Sequence, residues 1–473
     1  MLRKFISTLL LENLEFQPTP GQVDLIQELG AFLASEDYGE IMVVKGYAGT
    51  GKTTLVRSLV QTLHTLKQRS VLLAPTGRAA KVLGAYSGHP AWTIHKKIYR
   101  QKSGKDGLGE FVLDRNLHKQ TCFIVDEASM IGDRSPDAKF GSGDLLRDLM
   151  DYVEGGSNCR LVLVGDTAQL PPVGLELSPA LSSDRLESLG YRIREIELTD
   201  VVRQMQDSGI LYNATTIRNL ITAGIEDYPG FRFDTFPDVQ MISGTDLLEA
   251  IGSSYDRYGT TETIVVTRSN KRANKFNVGI RSQILWREEQ ISPGDLLMVV
   301  KNNYFWKDSD KRLDFIANGD IIKIERVIST EEVHGYTFAN VQISLPDYPH
   351  LELEVKLLLD VIEMDAPSLN YEQQKSLFTS VAEDYPDAVN RKQMSEKVSI
   401  DPYYNALQVK FAYAVTCHKA QGGQWKSVFL DQGYFTDEML SLDYLRWLYT
   451  AFTRASQQLY LVNLAKPFIP EHL

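Results

Sequence analysis

The chain alternates short, almost wholly apolar runs with longer stretches in which apolar residues recur at helical spacing. From about residue 18 the runs are IMVV (41–44), SVLLAP (70–75), CFIVDE (122–127) and CRLVLVGD (159–166). Runs this short and continuous, separated by helical segments, predict parallel strands buried on both faces. That is an α/β domain. A second block begins near residue 206, where ETIVVTRSNKRANKFNVGIRSQI (262–284) predicts strand, turn and helix. It resumes at VKFAYAVTCHKAQG (409–422) and WLYTAFTRASQQLYLVNL (447–464). Between these the texture changes. GDLLMVVKNNYFW, GDIIKIERVIS, YTFANVQISLP and LELEVKLLLDVI read as alternating strands punctuated by Gly, Asn and Pro, which predicts a small inserted β-barrel. Residues 366–405 read as partly helical, polar and aromatic, and no repeat period or low-complexity tract is present.

Composition adds bounds. A chain of 473 residues predicts roughly three units of about 150. The hydrophobic fraction of 43% and charged fraction of 23% are ordinary for a globular protein. A net charge of −11 argues against a protein that coats nucleic acid, although a groove can be basic inside an acidic chain. Cys122, Cys159 and Cys417 lie far apart, with no C-x-x-C pair and no His at ligand spacing. This excludes a disulfide framework and a structural zinc. In MLRKFISTLLLENLEF, Glu12 and Glu15 interrupt an apolar run too short for a secretory leader, and no stretch is long enough to span a membrane. A cytoplasmic protein is expected.

The chemistry begins at IMVVKGYAGTGKTTLV (41–56), which matches G-x-x-x-x-G-K-[ST] at Gly46, Gly51, Lys52 and Thr53. A strand ends and a helix starts here, so the backbone amides of Ala48, Gly49, Thr50, Gly51, Lys52, Thr53 and Thr54 face one hollow. Glycines are needed because a Cβ would block both the turn and the approach of phosphate oxygens. Lys52 is expected to reach the β- and γ-phosphates of a nucleoside triphosphate, and Thr53 to bind Mg²⁺. CFIVDEAS then ends an apolar strand in two acids, Asp126 for the metal and Glu127 for the attacking water. A third strand-end loop, VGDTAQLPPVG (164–174), offers Gln169 to sense the γ-phosphate or orient water. Together these predict hydrolysis of a nucleoside triphosphate.

The ordered set GYAGTGKTT, LLAPTGRAAKVL, IVDEASM, VGDTAQLPPVG, LTDVVRQ, YAVTCHKAQGGQW and LYTAFTRA resembles superfamily 1B helicases of the RecD/Dda type. The resemblance runs from about residue 18 to 462. It implies two RecA-like domains with ATP between them and single-stranded DNA across the top. The expected layout is a lead-in over 1–17, a first RecA-like domain over 18–205 and a second over 206–291 and 406–473. Residues 292–405 would form an inserted SH3-like barrel with a partly helical segment. Arg203 in VVRQ and Arg454 in AFTRA are implied as arginine fingers, and a planar, always-charged fork suits the charge spreading over a γ-phosphoryl group. Gln22 in TPGQ is implied as the adenine contact, its amide able to pair bidentately with the base. Gln421 and Gly422 fall on the ATP side, Thr416 and His418 on the strand side, and Lys419 on either.

In the first domain Thr76, Arg78, Thr93 and His95 occupy the corresponding DNA-facing positions, with contact and packing equally open for His95. Such a floor of hydroxyls and cations holds phosphates without reading sequence. YRQKSGKDGLGEFVLDRNL (99–117) contains Asp106-Gly107, a hairpin signal, and relatives place a duplex-splitting pin here, expected over about 97–119. KNNYFWKDSDKR (301–312) interleaves basic and aromatic residues, which suits stacking on single strands as well as a barrel core. Tyr47 departs from the family, where many relatives have Pro. The expected protein is a monomeric ATP-dependent DNA helicase acting on single-stranded DNA and duplex junctions, with 5′-to-3′ polarity implied by the resemblance alone. Its rivals are a P-loop ATPase that remodels proteins and a non-catalytic nucleic-acid binding module.

Overall fold

The four apolar runs become neighbouring central strands. The computed structural model describes all residues except 103–109, 134–140, 201–206, 234, 307–312, 314–315, 347, 349 and 470–473. The chain opens with α1 (Leu2–Glu12) laid against α2 (Pro20–Ala34). Helix α2 starts where Thr19 and Gln22 form a reciprocal capping box behind a proline at the first turn. Then follow β1 (Glu40–Gly46), α3 (Lys52–Thr65), β2 (Arg69–Ala74), α4 (Gly77–Ser87), β3 (Ala91–Thr93) and α5 (Ile94–Ile98). A hairpin of β4 (Tyr99–Lys102) and β5 (Glu110–Leu113) interrupts the alternation. It resumes with β6 (Thr121–Val125), α6 (Leu145–Glu154), β7 (Arg160–Gly165), α7 (Ser183–Ser188) and β8 (Arg192–Leu198).

These strands form a parallel sheet in the order β3-β2-β6-β7-β1-β8. Alternation of side chains divides its core in two. Met42, Val44, Ile124 and Val162 pack with Leu25, Leu55 and Leu59 on one face. Val43, Phe123 and Leu163 pack with Ile94 and Leu149 on the other. Burial on both faces is why the runs are continuously apolar.

The second lobe begins with α8 (Gly209–Ala223), β9 (Val239–Ile242), α9 (Leu247–Tyr258), β10 (Thr263–Thr267) and α10 (Asn270–Gln283). The chain then leaves for β11 (Leu296–Val299), β12 (Ile321–Val333), β13 (Tyr336–Ser344) and β14 (Glu352–Leu358). Three helices follow, α11 (Asp360–Glu363), α12 (Tyr371–Ala382) and α13 (Arg391–Ser399), and then β15 (Leu407–Phe411). It returns through β16 (Ala414–Thr416), α14 (Cys417–Ala420), β17 (Trp425–Asp431), α15 (Leu442–Phe452) and β18 (Ala455–Val462). The second sheet is parallel, in the order β16-β10-β17-β18-β9.

The inserted barrel is present and closed, but it has five strands where the sequence pattern predicts four. The fifth, β15, lies beyond the expected boundary at 405 and pairs with both β11 and β14. The segment 366–405 caps one side of this barrel, with Leu377, Val381 and Val398 packed beside Phe338 and Leu358. The hairpin legs pair from Tyr99–Leu113 to Lys102–Glu110, while the Asp106-Gly107 turn lies outside the described residues. The Phe111 ring rests 4.5 Å from that of Tyr304, so hairpin and barrel touch. Nearby, Trp306 donates its indole N–H to the Asn405 carbonyl (2.9 Å), so these two aromatics of the 301–312 stretch are engaged in packing. Among the described residues no helix is long and apolar enough to cross a membrane.

Candidate nucleotide cleft and strand groove

The phosphate loop forms as its glycines require. Gly49 and Gly51 take φ of 77° and 85°, the left-handed region where a side chain is strained. Helix α3 starts directly after Gly51 with no side chain capping it, so its first amides face the hollow above the loop. Lys52 is folded back, donating from Nζ to the carbonyls of Gly46 (2.6 Å) and Tyr47 (2.9 Å). Asp166 Oδ2 stands 3.9 Å from the same ammonium. Gln22 differs from expectation. Its Nε2 donates to the Thr50 carbonyl (2.9 Å) and its Oε1 accepts from the Thr19 amide (3.0 Å). Fully buried, it ties the start of α2 to the phosphate loop.

Across the sheet, β6 delivers the two acids. Asp126 Oδ2 accepts from the Tyr86 hydroxyl (2.6 Å) and its Oδ1 from the Glu127 amide (2.9 Å). Glu127 itself adopts φ 54°, the left-handed region, rare for a residue with a Cβ. Burial pushes its carboxyl above the usual range, and the Arg454 charge is the largest influence pulling it back. Among the described residues no cluster of three His, Cys, Asp or Glu can hold a metal. The Thr53 hydroxyl and Asp126 carboxylate are hard oxygen donors, which suits Mg²⁺ shared with nucleotide phosphates rather than a cage of protein ligands.

The second lobe closes over this loop. Arg454 is buried, donating to the Thr450 carbonyl (3.0 Å), the Gly423 carbonyl (3.1 Å) and Thr453 Oγ1 (3.1 Å). Both backbone groups of Leu170 are held from the opposite lobe. Its amide donates to Thr450 Oγ1 (2.8 Å), and its carbonyl accepts from Gln421 Nε2 (2.7 Å). The neighbouring Gln169 is buried with Oε1 unpartnered. Gly422, at φ 71°, lies so close to α4 that a Cβ would stand 2.8 Å from that of Ala79.

The residues expected to face a strand divide. Thr76 and Thr93 spend their hydroxyls capping α4 and α5. The Arg78 guanidinium stacks 3.9 Å over Trp425 and donates to the Gln424 carbonyl (3.2 Å), which makes it a clasp between lobes. His95 lies against Tyr99, and burial lowers its pKa to about 4, so it is neutral at physiological pH and offers a phosphate no charge. His418 is exposed and borders a cleft with Arg268, Tyr444 and Trp447. Thr416 borders a groove with Asn270, Asn274, Lys410 and Lys419. Burial lowers the Lys419 amine to about 8, and burial with the Lys419 charge does the same to Lys410, against an opposing pull from Asp365.

Two family models match, one described as an AAA domain over residues 18–228 and one as a UvrD-like helicase C-terminal domain over 411–462. They bracket the ordered motifs on both lobes. The ATP-dependent RecD2 DNA helicase of Deinococcus radiodurans is 31% identical over 201 residues, 42% of this chain and 24% of that protein. These similarities support a superfamily 1B helicase of the RecD/Dda type. The ATP-dependent DNA helicase dda of Enterobacteria phage T4 is 27% identical over 298 residues, 60% of this chain and 62% of that protein. The chain thus spans a quarter to three fifths of these two relatives. The Pif1 helicase from Bacteroides, solved with ADP-AlF3 and single-stranded DNA, aligns over 97% of this chain and 96% of its own at 15% identity, with a TM-score of 0.47.

Arg203, the other expected arginine finger, lies outside the described residues. Three residues at the cleft were not singled out from sequence: Tyr86 on Asp126, Asp166 beside Lys52, and Tyr449 on Asp166. Asp166 and Tyr449 sit within VGDTAQLPP and LYTAFTRA, so the motifs held them without disclosing their partners. Tyr86 projects from the helix after LLAPTG and carries no local signal.

Proposed function

We propose that the chain is an ATP-dependent DNA helicase that moves along single-stranded DNA and separates duplexes ahead of it. The observation that carries this reading is the cleft itself, where Lys52, Asp126 and Glu127 of one lobe meet the buried Arg454 of the other. The names of the relatives, ATP-dependent DNA helicases, support it. ATP would enter the hollow above α3, drawing Lys52 off the Gly46 and Tyr47 carbonyls onto its phosphates. Glu127, its carboxyl pushed up by burial, would take the proton of the attacking water, and Gln169 would orient that water. Arg454 would meet the spreading γ-phosphoryl charge from the second lobe, with Arg203 as the other arginine in that role. Mg²⁺, held by Thr53 and Asp126, would supply charge neutralisation at the phosphates.

In the same reading, residues 18–205 and 206–291 with 412–473 are the two motor domains, and 292–411, which takes in β15, is the barrel with its helical segment. The β4–β5 hairpin is the pin. Thr416, His418, Lys419 and Lys410 grip the strand, and the 5′-to-3′ direction rests on family alone. The deciding experiment compares paired forks bearing a 5′ or a 3′ single-stranded tail. Unwinding of the 5′-tailed fork, with ATP turnover raised at least ten-fold by single-stranded DNA, is expected. A flat ATPase response and no unwinding of either fork would favour a protein-remodelling ATPase.

The lysine pair adds a pH test. Both amines are charged below about 8 and lose that charge above it. A phosphate favours the charged form, so strand affinity should fall as pH rises from 7 to 9.5. Once both amines are neutral, the slope of log affinity against log salt should be shallower by up to ~1.4 for a single strand. A slope constant across that range would remove Lys410 and Lys419 from the strand path.

A further inference from the structure

Two tyrosines cross between the lobes in opposite directions. Tyr47, inside the phosphate loop, is buried in the core of the second lobe, its ring under the Arg218 guanidinium of α8 at 4.7 Å. Its hydroxyl turns back to Glu197 Oε1 (2.6 Å), at the end of β8. Tyr449, from α15, comes the other way. Its buried hydroxyl accepts from the Ala48 amide of the phosphate loop (2.8 Å) and donates to Asp166 Oδ2 (2.7 Å). That same carboxylate oxygen lies 3.9 Å from Lys52 Nζ. Burial and the Asp166 charge both raise the Tyr449 pKa, so the phenol stays protonated and remains a donor.

We propose that Tyr449 is a positioning residue that makes the phosphate loop depend on lobe closure, by holding the Ala48 amide and occupying Asp166 so that the carboxylate does not capture Lys52. With the lobes together, Asp166 accepts from Tyr449 and from the Ala168 amide (3.0 Å), and Lys52 is left for the phosphates. With the lobes apart, Asp166 loses the phenol and its remaining strong donor within reach is the lysine. The ammonium 3.9 Å away is then the opposite charge nearest that oxygen, so opening draws Lys52 toward Asp166 and loosens the hold on the γ-phosphate. The loop therefore favours hydrolysis when the second lobe is docked. Chemistry is thereby tied to the closed state without any contact between Tyr449 and nucleotide.

The inference rests on the ATPase reading above, and its test separates the two. Tyr449→Phe keeps the ring and its packing and deletes both hydrogen bonds. Turnover at saturating ATP should fall at least ten-fold while the affinity for ADP, measured with a fluorescent analogue, stays within two-fold. Amide exchange of the 46–50 segment should accelerate at least ten-fold. In an Asp166→Asn background, where no carboxylate competes for the lysine, the same Tyr449→Phe change should cost less than three-fold, a non-additivity that packing alone does not produce. Turnover within three-fold of the native chain, unchanged exchange at 46–50, or an equal loss in both backgrounds would overturn the proposal. Absence of ATP turnover in the native chain would instead defeat the ATPase reading, and the exchange measurement would still decide the Ala48–Tyr449 contact.

Discussion

Lys52→Ala is expected to lower ATP turnover by about 10³-fold, the scale on which an aimed charge at developing phosphoryl charge acts. The amides at the start of α3 remain, so nucleotide still finds the hollow, but nothing follows the γ-phosphate as it transfers. The fold should survive. Lys52 is partly exposed, and its loss leaves two loop carbonyls short of a donor, worth about 1 kcal/mol each. Glu127→Gln tests the opposite half of the site. It keeps the size and hydrogen-bonding of the side chain and removes only the base, so turnover should drop about 10²- to 10⁴-fold while ATP stays bound. Phosphate release and equilibrium binding of a fluorescent ATP analogue distinguish the two variants. Near-native hydrolysis in both would end the assignment of this cleft.

Arg454→Ala should reduce turnover by about 10³-fold or more, the range set by arginine groups that meet a transferring phosphoryl. Here a structural effect is added. The guanidinium donates to two carbonyls and a hydroxyl in a buried site, so truncation strands those acceptors at a cost of about 1–3 kcal/mol apiece. Melting would fall along with activity. Arg454→Lys separates the effects, because an ammonium keeps the charge and part of the bonding but lacks the planar fork. A lysine variant that melts near the native temperature yet loses about 10²-fold in turnover would place the fork in the reaction. One that turns over normally would confine Arg454 to packing.

The phosphate loop and the acid pair were legible because their chemistry is local. A strand, a glycine turn and a helix start within a dozen residues leave little choice about which atoms face the hollow. The parallel sheets were legible for a similar reason, since burial on both faces writes itself as unbroken apolar runs. What sequence could not show was pairing across distance. VKFAYAVTCHKAQG (409–422) reads as the return to the second block, yet nothing in its pattern says that its first residues close the barrel as β15 rather than join the second sheet. Gln22 carried an amide fit for a base, and only the fold reveals that the Thr50 carbonyl and the Thr19 amide already engage both ends. Arg78 read as a cation for a strand and proved to stack on Trp425, more than three hundred positions away along the chain. His95 was evenly poised between two roles, and its burial beside Tyr99 leaves an uncharged ring.

The closing strand of the barrel has an architectural consequence. Leu297 and Phe411 are paired neighbours, and the Ala412 amide donates to the Leu296 carbonyl (2.9 Å), so the chain departs and comes home at adjoining points. For an excursion with touching ends, each doubling of its length costs only about 0.6 kcal/mol more in loop-closure entropy. The barrel and its helices are in this sense a graft on one seam, which descent could enlarge, trim or exchange while the host sheet kept its register.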